Sequence, residues 1–416
     1  MEKYIIQGDN KLKGEVTVQG AKNSVLPVLA ATIISGEVSS VSNIPCLRDV
    51  ENMIKILESL GAKVDFNDHT LNVDASPINK VNLPEDYVRE MRSSIILMGA
   101  MLARFKEVNV ALPGGCEIGP RPIDLHLKAL RQMGVIIKES HGSLECKTDQ
   151  LVGCDIQLDY PSVGATENIM LAAVTAKGRT TIRNAAREQE IIDLQSYLNK
   201  AGAKVRGGGT SIIIIEGVEK LHSCSHYIIP DRIVAGTYMI AAAMTNGEVI
   251  LNNIITDHLL SMISKLREAG VIIYTNGSSL KIKGPKKIYA LDMIQTLPYP
   301  GFPTDMQAQF MSLLTIANGT SIINETVFEN RFKHADELVR MGANIKTFGK
   351  IAVIKGVKGL TGAKVSSKDL RGGASLILAG LVAEGETIVD NIYHVNRGYE
   401  NMDNILKSLG ADIKSI

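Results

Sequence analysis

The sequence predicts an α/β protein of two domains, each an inside-out α/β barrel of three repeated units, with helices buried and sheets outside. Three observations lead there. The first is a recurrent helix ending: "LESLGAKV", "LRQMGVII", "LNKAGAKV", "LREAGVII", "LVRMGANI" and "LKSLGADI". These place glycines at Gly61, Gly134, Gly202, Gly270, Gly342 and Gly410, spaced by 73, 68, 68, 72 and 68 residues. Self-similarity at a nearly fixed period marks one structural unit repeated along the chain. Each glycine follows an amphipathic Leu-rich run and precedes an alternating apolar run, the pattern of a helix C-cap leading into a strand.

The second observation lies between those glycines. "LPVLAATIISGEVSSVSNI", "IILMGAMLARFKEVNVAL", "IMLAAVTAKGRTTIRNA", "YMIAAAMTNGEVILNNI", "FMSLLTIANGTSIINET" and "LILAGLVAEGETIVDNI" each read as a helix without a polar face, a turn and a strand. A helix that is apolar all round belongs inside a core. Each unit therefore reads strand, buried helix, strand, amphipathic helix, strand, strand, and the alternation of helices with strands implies α/β layers. The second copy has diverged, because Phe105-Lys106 stands where other copies have a glycine turn. An open solenoid would use shorter units of about 20–45 residues and polar caps.

The third observation concerns the ends of the chain. After "LGADIKSI" the last copy is one strand short, and residues 4 to 8, "YIIQG", resemble the missing piece, found elsewhere as "LKIKG" and "AVIKG". The stretch "GDNKLKGEVTVQGAKNS" likewise aligns with "GVKGLTGAKVSSKDLRGGAS". The expectation is one domain over residues 21–229 and a second built from 1–20 plus 230–416, with a ligand-binding cleft between them.

Composition narrows the function. Lys and Arg number 45 against 44 Asp and Glu, and no run of like charge occurs, so the footprint of a nucleic-acid binder is missing. The five cysteines (Cys46, Cys116, Cys146, Cys154, Cys224) are scattered without C-x-x-C spacing, which argues against a disulfide framework and against a zinc site. No cofactor and no metal are expected. The N-terminus lacks an apolar targeting segment, and stretches such as "IMLAAVTA" are too short to span a bilayer. The expected setting is cytoplasmic, with no membrane insertion, as a monomer or weak homo-oligomer.

Candidate chemistry gathers where the buried helices begin. "GAKN" (Lys22, Asn23), "MRSS" (Arg92), "PDRI" (Arg232) and "LRGG" (Arg371) put cations there, and nearby loops add Arg121, Arg331 and Arg397. Free N–H groups at a helix N-terminus bind anions, and the guanidinium fork matches carboxylate or phosphate. Taken singly, each cation reads equally well as a structural or solvated ion pair. In "FPTDMQAQF", Asp305 is either a helix cap or a carboxylate able to accept a proton. "YPSVGATEN" offers a glycine-containing turn before a helix, suited to phosphate or ribose. "PGGCEIGPRPIDLH" presents Cys116 in a glycine-flanked loop near Arg121, Asp124 and His126. It reads as a free thiol or as a reactive, partly ionised one. His126 reads as structural or substrate-contacting, since Cys/His dyads are made in space rather than by adjacency.

Together, "GAKNSVLPVLAATIISGE", "PGGCEIGPRPIDLHLKAL", "PSVGATENIMLAA", "NAAREQEIIDL", "FPTDMQAQF", "ETVFENRFKHADELVRMGA" and "YHVNRGYENMDNILKSLGA" resemble the enolpyruvyl transferase family that acts on UDP-N-acetylglucosamine, from about residue 5 to the C-terminus. The resemblance implies transfer of the enolpyruvyl group of phosphoenolpyruvate to the sugar 3-hydroxyl with loss of phosphate, the step that opens peptidoglycan synthesis. It implies catalytic roles for Cys116, Asp305, Lys22 and Arg397. Cys116 would be the general acid at C3, the site of a covalent adduct and the group alkylated by the epoxide fosfomycin. Lys22, Asn23, Arg121 and Arg397 would surround the phosphate, and Arg331 and Arg371 the carboxylate. Arg92, Pro122, Ile123, Asp124, Leu125, Ser162, Val163, Gly164 and Val327 would line the UDP-sugar site. The chain departs from the family pattern at Glu117 and Pro120, where small residues are usual, and at Gly372-Gly373, where a bulkier pair is expected. Glu117 would raise the thiol pKa and Pro120 would stiffen the loop. The enzyme acting on shikimate 3-phosphate shares the six-unit architecture but lacks the cysteine loop.

Overall fold

The computed structural model describes residues 2–112 and 123–416. Cys116, Arg121 and Pro122, with Glu117 and Pro120, lie outside the described residues. The helices are α1 (Lys22–Ser35), α2 (Arg48–Leu60), α3 (Glu85–Glu90), α4 (Leu97–Phe105), α5 (Asp124–Gln132), α6 (Val163–Ala173), α7 (Gln189–Lys200), α8 (Arg232–Met244), α9 (Leu260–Glu268), α10 (Gln307–Thr315), α11 (Lys333–Arg340), α12 (Leu370–Gly380) and α13 (Met402–Ser408). The chain divides into two compact units: the residues up to Gln19 with Pro230–Ile416, and the described residues from Gly20 to Ile229. Each has its own hydrophobic core.

The small-residue helices are the cores. In α10 every residue is buried, in α8 all but Arg232 and in α12 all but Leu370, while α6 is buried from Ala165 onward. Sheets lie outside these helices. One consists, in order, of Met293–Gln295, Thr320–Asn324, Ile351–Lys355 and Asn344–Phe348; the first pair is parallel and the others antiparallel. The other four-stranded sheets repeat this order. Residues 3–7 occupy the third place of their sheet, between Glu386–Asp390 and Asp412–Ser415, with Ile5 opposite Ile388 on one side and Lys414 on the other. The leading strands of the first and fourth copies are exchanged. Lys13–Thr17, which precedes α1, pairs with Glu248–Asn252, and Ser225–Tyr227, which precedes α8, pairs with Val38–Ser42.

Two glycine sets explain the repeat physically. Gly61, Gly134, Gly202, Gly270, Gly342 and Gly410 all have φ between 90° and 111°, the left-handed conformation that ends a helix. The second set, Gly8, Gly217, Gly284 and Gly356, follows the last strand of a unit. A Cβ there would lie 2.0, 1.7, 2.5 and 1.6 Å from the carbonyl oxygens of Ala383, Ala176, Ala242 and Ala317, respectively. The end of the unit thus packs backbone to backbone against the end of its buried helix.

The second copy diverges further than its turn. Lys106 adopts a left-handed φ of 62°, matching the 66° of Gly36 in the first copy. Pro84 leads into the extra helix α3, and the leading strand is reduced to a single bridge between Asn82 and Asn109. The remaining sheet has three strands.

One core position carries charge logic. Eight residues before the C-cap glycine the copies place Met53, His126, Leu194, Met262, His334 and Met402, all buried. Asn168 Nδ2 lies 2.9 Å from His126 Nδ1. His334 has no partner at either ring nitrogen among the described residues. Burial, reinforced by Arg92 and opposed by Asp124, pushes His126 down to about 4. Burial also pushes His334 to about 4, with Arg331 adding to the effect and Asp369 and Asp336 opposing it.

Two predictions follow from this packing. Gly356→Ala should destabilise its unit by about 3 kcal/mol or more. Gly359→Ala, where a Cβ meets nothing within 4 Å, should stay within about 0.5 kcal/mol of the parent. Similar unfolding midpoints in urea would refute the carbonyl clash. The histidines set a pH dependence: between about 6.5 and about 4 the unfolded chain binds protons that the folded chain refuses, so stability falls as pH drops through that window. Each histidine contributes on the order of 3 kcal/mol. His334→Met should make that fall shallower in denaturation curves at stepped pH; an unchanged slope would contradict it.

Candidate active site

The buried helices are enclosed along most of their length, which leaves their starts as the accessible places for chemistry, and the sequence loads those starts against local preference. Lys22, Arg92 and Arg232 are the first residues of α1, of the turn Arg92–Ile96 and of α8, and Arg371 is the second residue of α12. A cation beside the positive end of a helix is unfavourable in isolation, and none of α1, α6, α8 and α12 has an acidic residue in its first turn. Local rules broken in concert point to a site.

In the unit that holds both termini, Asp305 is not a cap. The turn Thr304–Met306 begins after Pro303 and sets Asp305 to one side of α10. Arg331 Nη2 donates to Asp305 Oδ1 at 2.7 Å, and Arg371 Nε and Nη2 donate to Oδ2 at 3.2 and 3.0 Å. Both arginine side chains are 4% exposed, against 27% for Asp305. Burial opposes the charge on Arg371, but Tyr399, Asp305 and Asp231 around it raise its hold on the proton. The Arg371 guanidinium lies 5.5 Å from the Tyr399 ring centroid and that of Arg331 5.0 Å from Phe328. Arg331 Nε and Arg371 Nη1 find no acceptor among the described residues, so each retains a donor for an anion. Arg397 ends the turn Ile392–Arg397, two residues before Tyr399. Arg232 sits 5.9 Å from the Tyr299 ring centroid.

Gly372 and Gly373 have a steric reason. A Cβ on Gly372 would lie 2.7 Å from Asp369 Oδ2, and one on Gly373 2.3 Å from Ser367 Oγ. Asp369 caps α12 by accepting from the backbone N–H groups of Arg371 and Gly372 at 3.0 and 2.9 Å. The glycines let this cap approach and so seat Arg371.

In the other unit, Lys22 Nζ donates to Asp49 Oδ2 at 3.2 Å, with side chains 13% and 3% exposed, and Asn23 beside it is exposed. Ser24 donates to Asp193, whose other oxygen lies 2.9 Å from His226 Nε2. This buried group fixes the first turn of α1. A second group forms around His126. Arg92 depresses its pKa and Asp124 raises it, while a Cβ on Gly164 would lie 3.2 Å from its Cε1. Ile123 precedes α5; Asp124, its first residue, is exposed and Leu125 half-buried. Ser162 caps α6 by accepting from the Ala165 N–H at 3.3 Å, leaving Val163 and Gly164 in the first turn. The structure therefore gathers Arg92, Asp124 and the 162–164 turn around one histidine.

Sequence reasoning missed the partners. Asp49 and Asp193 carry no motif because their contacts come from distant elements, Asp369 is a local helix cap, and Glu325 joins distant threonines to its own following loop. Glu325 is 1% exposed and accepts from Val327 N at 2.9 Å. Only their position next to a cation or a turn could have hinted at them.

The family model for EPSP synthase (3-phosphoshikimate 1-carboxyvinyltransferase) matches residues 6–406. A relative from Caldanaerobacter subterraneus subsp. tengcongensis, named UDP-N-acetylglucosamine 1-carboxyvinyltransferase 2, is 56% identical over 100% of both chains. One from Halothermothrix orenii, named UDP-N-acetylglucosamine 1-carboxyvinyltransferase, is 52% identical over 100% of both. Among solved structures, the enolpyruvyl transferase NikO from Streptomyces tendae is similar with a TM-score of 0.91 at 25% identity, over 100% of this chain and 99% of that one. An EPSP synthase from Acinetobacter baumannii shares the fold, with a TM-score of 0.79 at 18% identity over 100% of both. No helix among the described residues is long and apolar enough to cross a membrane. End-to-end matches at more than half of all positions, on a fold shared with other enolpyruvyl transferases, show that this chain belongs to the UDP-N-acetylglucosamine 1-carboxyvinyltransferase family.

Proposed function

We infer that the protein transfers the enolpyruvyl group of phosphoenolpyruvate to the 3-hydroxyl of UDP-N-acetylglucosamine with release of phosphate, in the cytoplasm, as the first committed step of peptidoglycan synthesis. The observation that carries the reading is Asp305 clasped by two buried arginines that each keep an unused donor. Such an arrangement suits a substrate carboxylate next to a proton acceptor.

The steps balance on this chain's residues. The substrate carboxylate engages Arg331 and Arg371 and weakens their hold on Asp305, whose oxygen then takes the proton of the sugar hydroxyl as that oxygen bonds to C2. Cys116 gives its proton to C3, so a methyl group forms on a tetrahedral ketal. In the second half the C2–O bond to phosphate breaks, C3 returns a proton to the thiolate, and the vinyl double bond is restored. Lys22, Asn23, Arg121 and Arg397 surround the phosphate and stabilise it as it leaves. Arg92, Pro122, Ile123, Asp124, Leu125, the capped turn 162–164 and Val327 hold the UDP-sugar. The helix dipole and unshared N–H groups of α6 suit its phosphates. The reading implies an order of events: Asp305 becomes a competent base only once phosphoenolpyruvate has drawn its arginines away.

The acceptor is the point to test, because the matched family model bears the name of the shikimate enzyme. Phosphate release from phosphoenolpyruvate should require UDP-N-acetylglucosamine, should not occur with shikimate 3-phosphate, and should be blocked by fosfomycin. Binding of UDP-N-acetylglucosamine without phosphate release would instead indicate a non-catalytic duplicate. Cys116→Ser should lower kcat by at least about a hundredfold with little change in unfolding midpoint; near-normal turnover would remove the thiol from the mechanism. Lys22→Ala should raise the KM for phosphoenolpyruvate at least about tenfold while leaving UDP-N-acetylglucosamine binding nearly unchanged, and equal losses for both would contradict its place at the phosphate.

A further inference from the structure

We propose that Glu325 is a positioning residue for this reaction, a buried carboxylate that sets Arg331 through Thr304 and the sugar-contact segment through its backbone. The proposal rests on the enolpyruvyl-transfer reading and deepens it. Glu325 follows the strand Thr320–Asn324 and is 1% exposed. Its Oε2 accepts from Thr304 Oγ1 at 2.8 Å, and its Oε1 accepts from Thr296 Oγ1 at 2.8 Å and from the backbone N–H groups of Val327 and Phe328 at 2.9 and 3.2 Å.

The consequence lies one bond further out. A hydroxyl that donates its hydrogen to Glu325 presents its lone pairs elsewhere, and Arg331 Nη1 donates to Thr304 Oγ1 at 2.9 Å. Arg331 Nη2 then meets Asp305 at 2.7 Å. The same guanidinium lies over the Phe328 ring, 5.0 Å from its centroid, and Glu325 also holds the Phe328 N–H. Glu325 therefore references Arg331 twice, through the Thr304 hydroxyl at Nη1 and through the Phe328 ring. Val327, held by the same carboxylate, belongs to the proposed sugar site. One buried anion thus ties the group for the phosphoenolpyruvate carboxylate to a contact for the acceptor. A carboxylate is required because four donors converge on two oxygens; a glutamine would turn one of them into a donor facing donors.

A merely structural turn-closing role and a positioning role separate at Thr304. Thr304→Val cuts only the relay to Arg331 and leaves the backbone contacts of Glu325 in place. It should raise the KM for phosphoenolpyruvate roughly tenfold, with the KM for UDP-N-acetylglucosamine within about twofold and the unfolding midpoint unchanged. Thr304→Ser, which keeps the hydroxyl, should restore the parent value. Glu325→Gln should raise both KM values, and adding Thr304→Val to it should cost less than the two single effects combined. Wild-type kinetics in Thr304→Val, alongside an Arg331→Ala variant that is crippled, would overturn the positioning role and leave the function intact. A wild-type protein inactive with phosphoenolpyruvate and UDP-N-acetylglucosamine would overturn both.

Discussion

Everything in this molecule depends on burying helices that have no polar face. Since α8, α10 and α12 in one unit and α1, α4 and α6 in the other are enclosed along their length, sheets must cover them and polar chemistry must retreat to their ends. The unit ends close with almost no clearance, glycine backbone on helix-end carbonyl, so each unit packs as a repeated piece. The helix starts escape that constraint. There the chain collects cations that a free-standing helix would disfavour.

Three copies in one unit show how a repeat becomes a site. Each places an aspartate before its buried helix: Asp231, Asp305 and Asp369. Asp231 accepts from the N–H groups of Ile233 and Val234, and Asp369 from those of Arg371 and Gly372, both as caps. In the fifth copy the turn Thr304–Met306 shifts Asp305 off the cap position and into the grip of Arg331 and Arg371. The same residue type serves helix stability twice and the proposed chemistry once, and the difference is one short turn of backbone. His126 and His334 are a parallel case, at a core position that four copies fill with Met or Leu, and each lies beside a cation of the candidate site, Arg92 or Arg331.

Much of this was legible in the sequence because it is periodic. The C-cap glycines, the apolar helices and the missing last strand are local signals, and they yield the repeat and the helices-inside arrangement without structural knowledge. The helix α3 and the exchange of leading strands were not legible, since the first interrupts the period and the second leaves the period intact while changing the partner. At the site, residue types were visible but pairings were not. Asp305 read equally well as a cap or a base, and its contact with Arg371 joins positions 66 residues apart. Gly372-Gly373 looked like an exception to the family pattern until the approach of Asp369 and Ser367 gave it a reason. Glu325 carries no sequence signal, because its four bonds are made with a strand end, a turn and its own following loop.

The electrostatic account makes one chemical commitment: the cations stabilise phosphate as a leaving group from carbon, with C3 passing through a methyl stage, and phosphate is not handed to the sugar. Turnover in deuterated water, with the sugar-nucleotide product analysed by mass spectrometry, tests this directly. The account predicts a product that has gained an enolpyruvyl group carrying deuterium in its vinyl methylene. A phosphorylated sugar, or an enolpyruvyl product without deuterium, would contradict it.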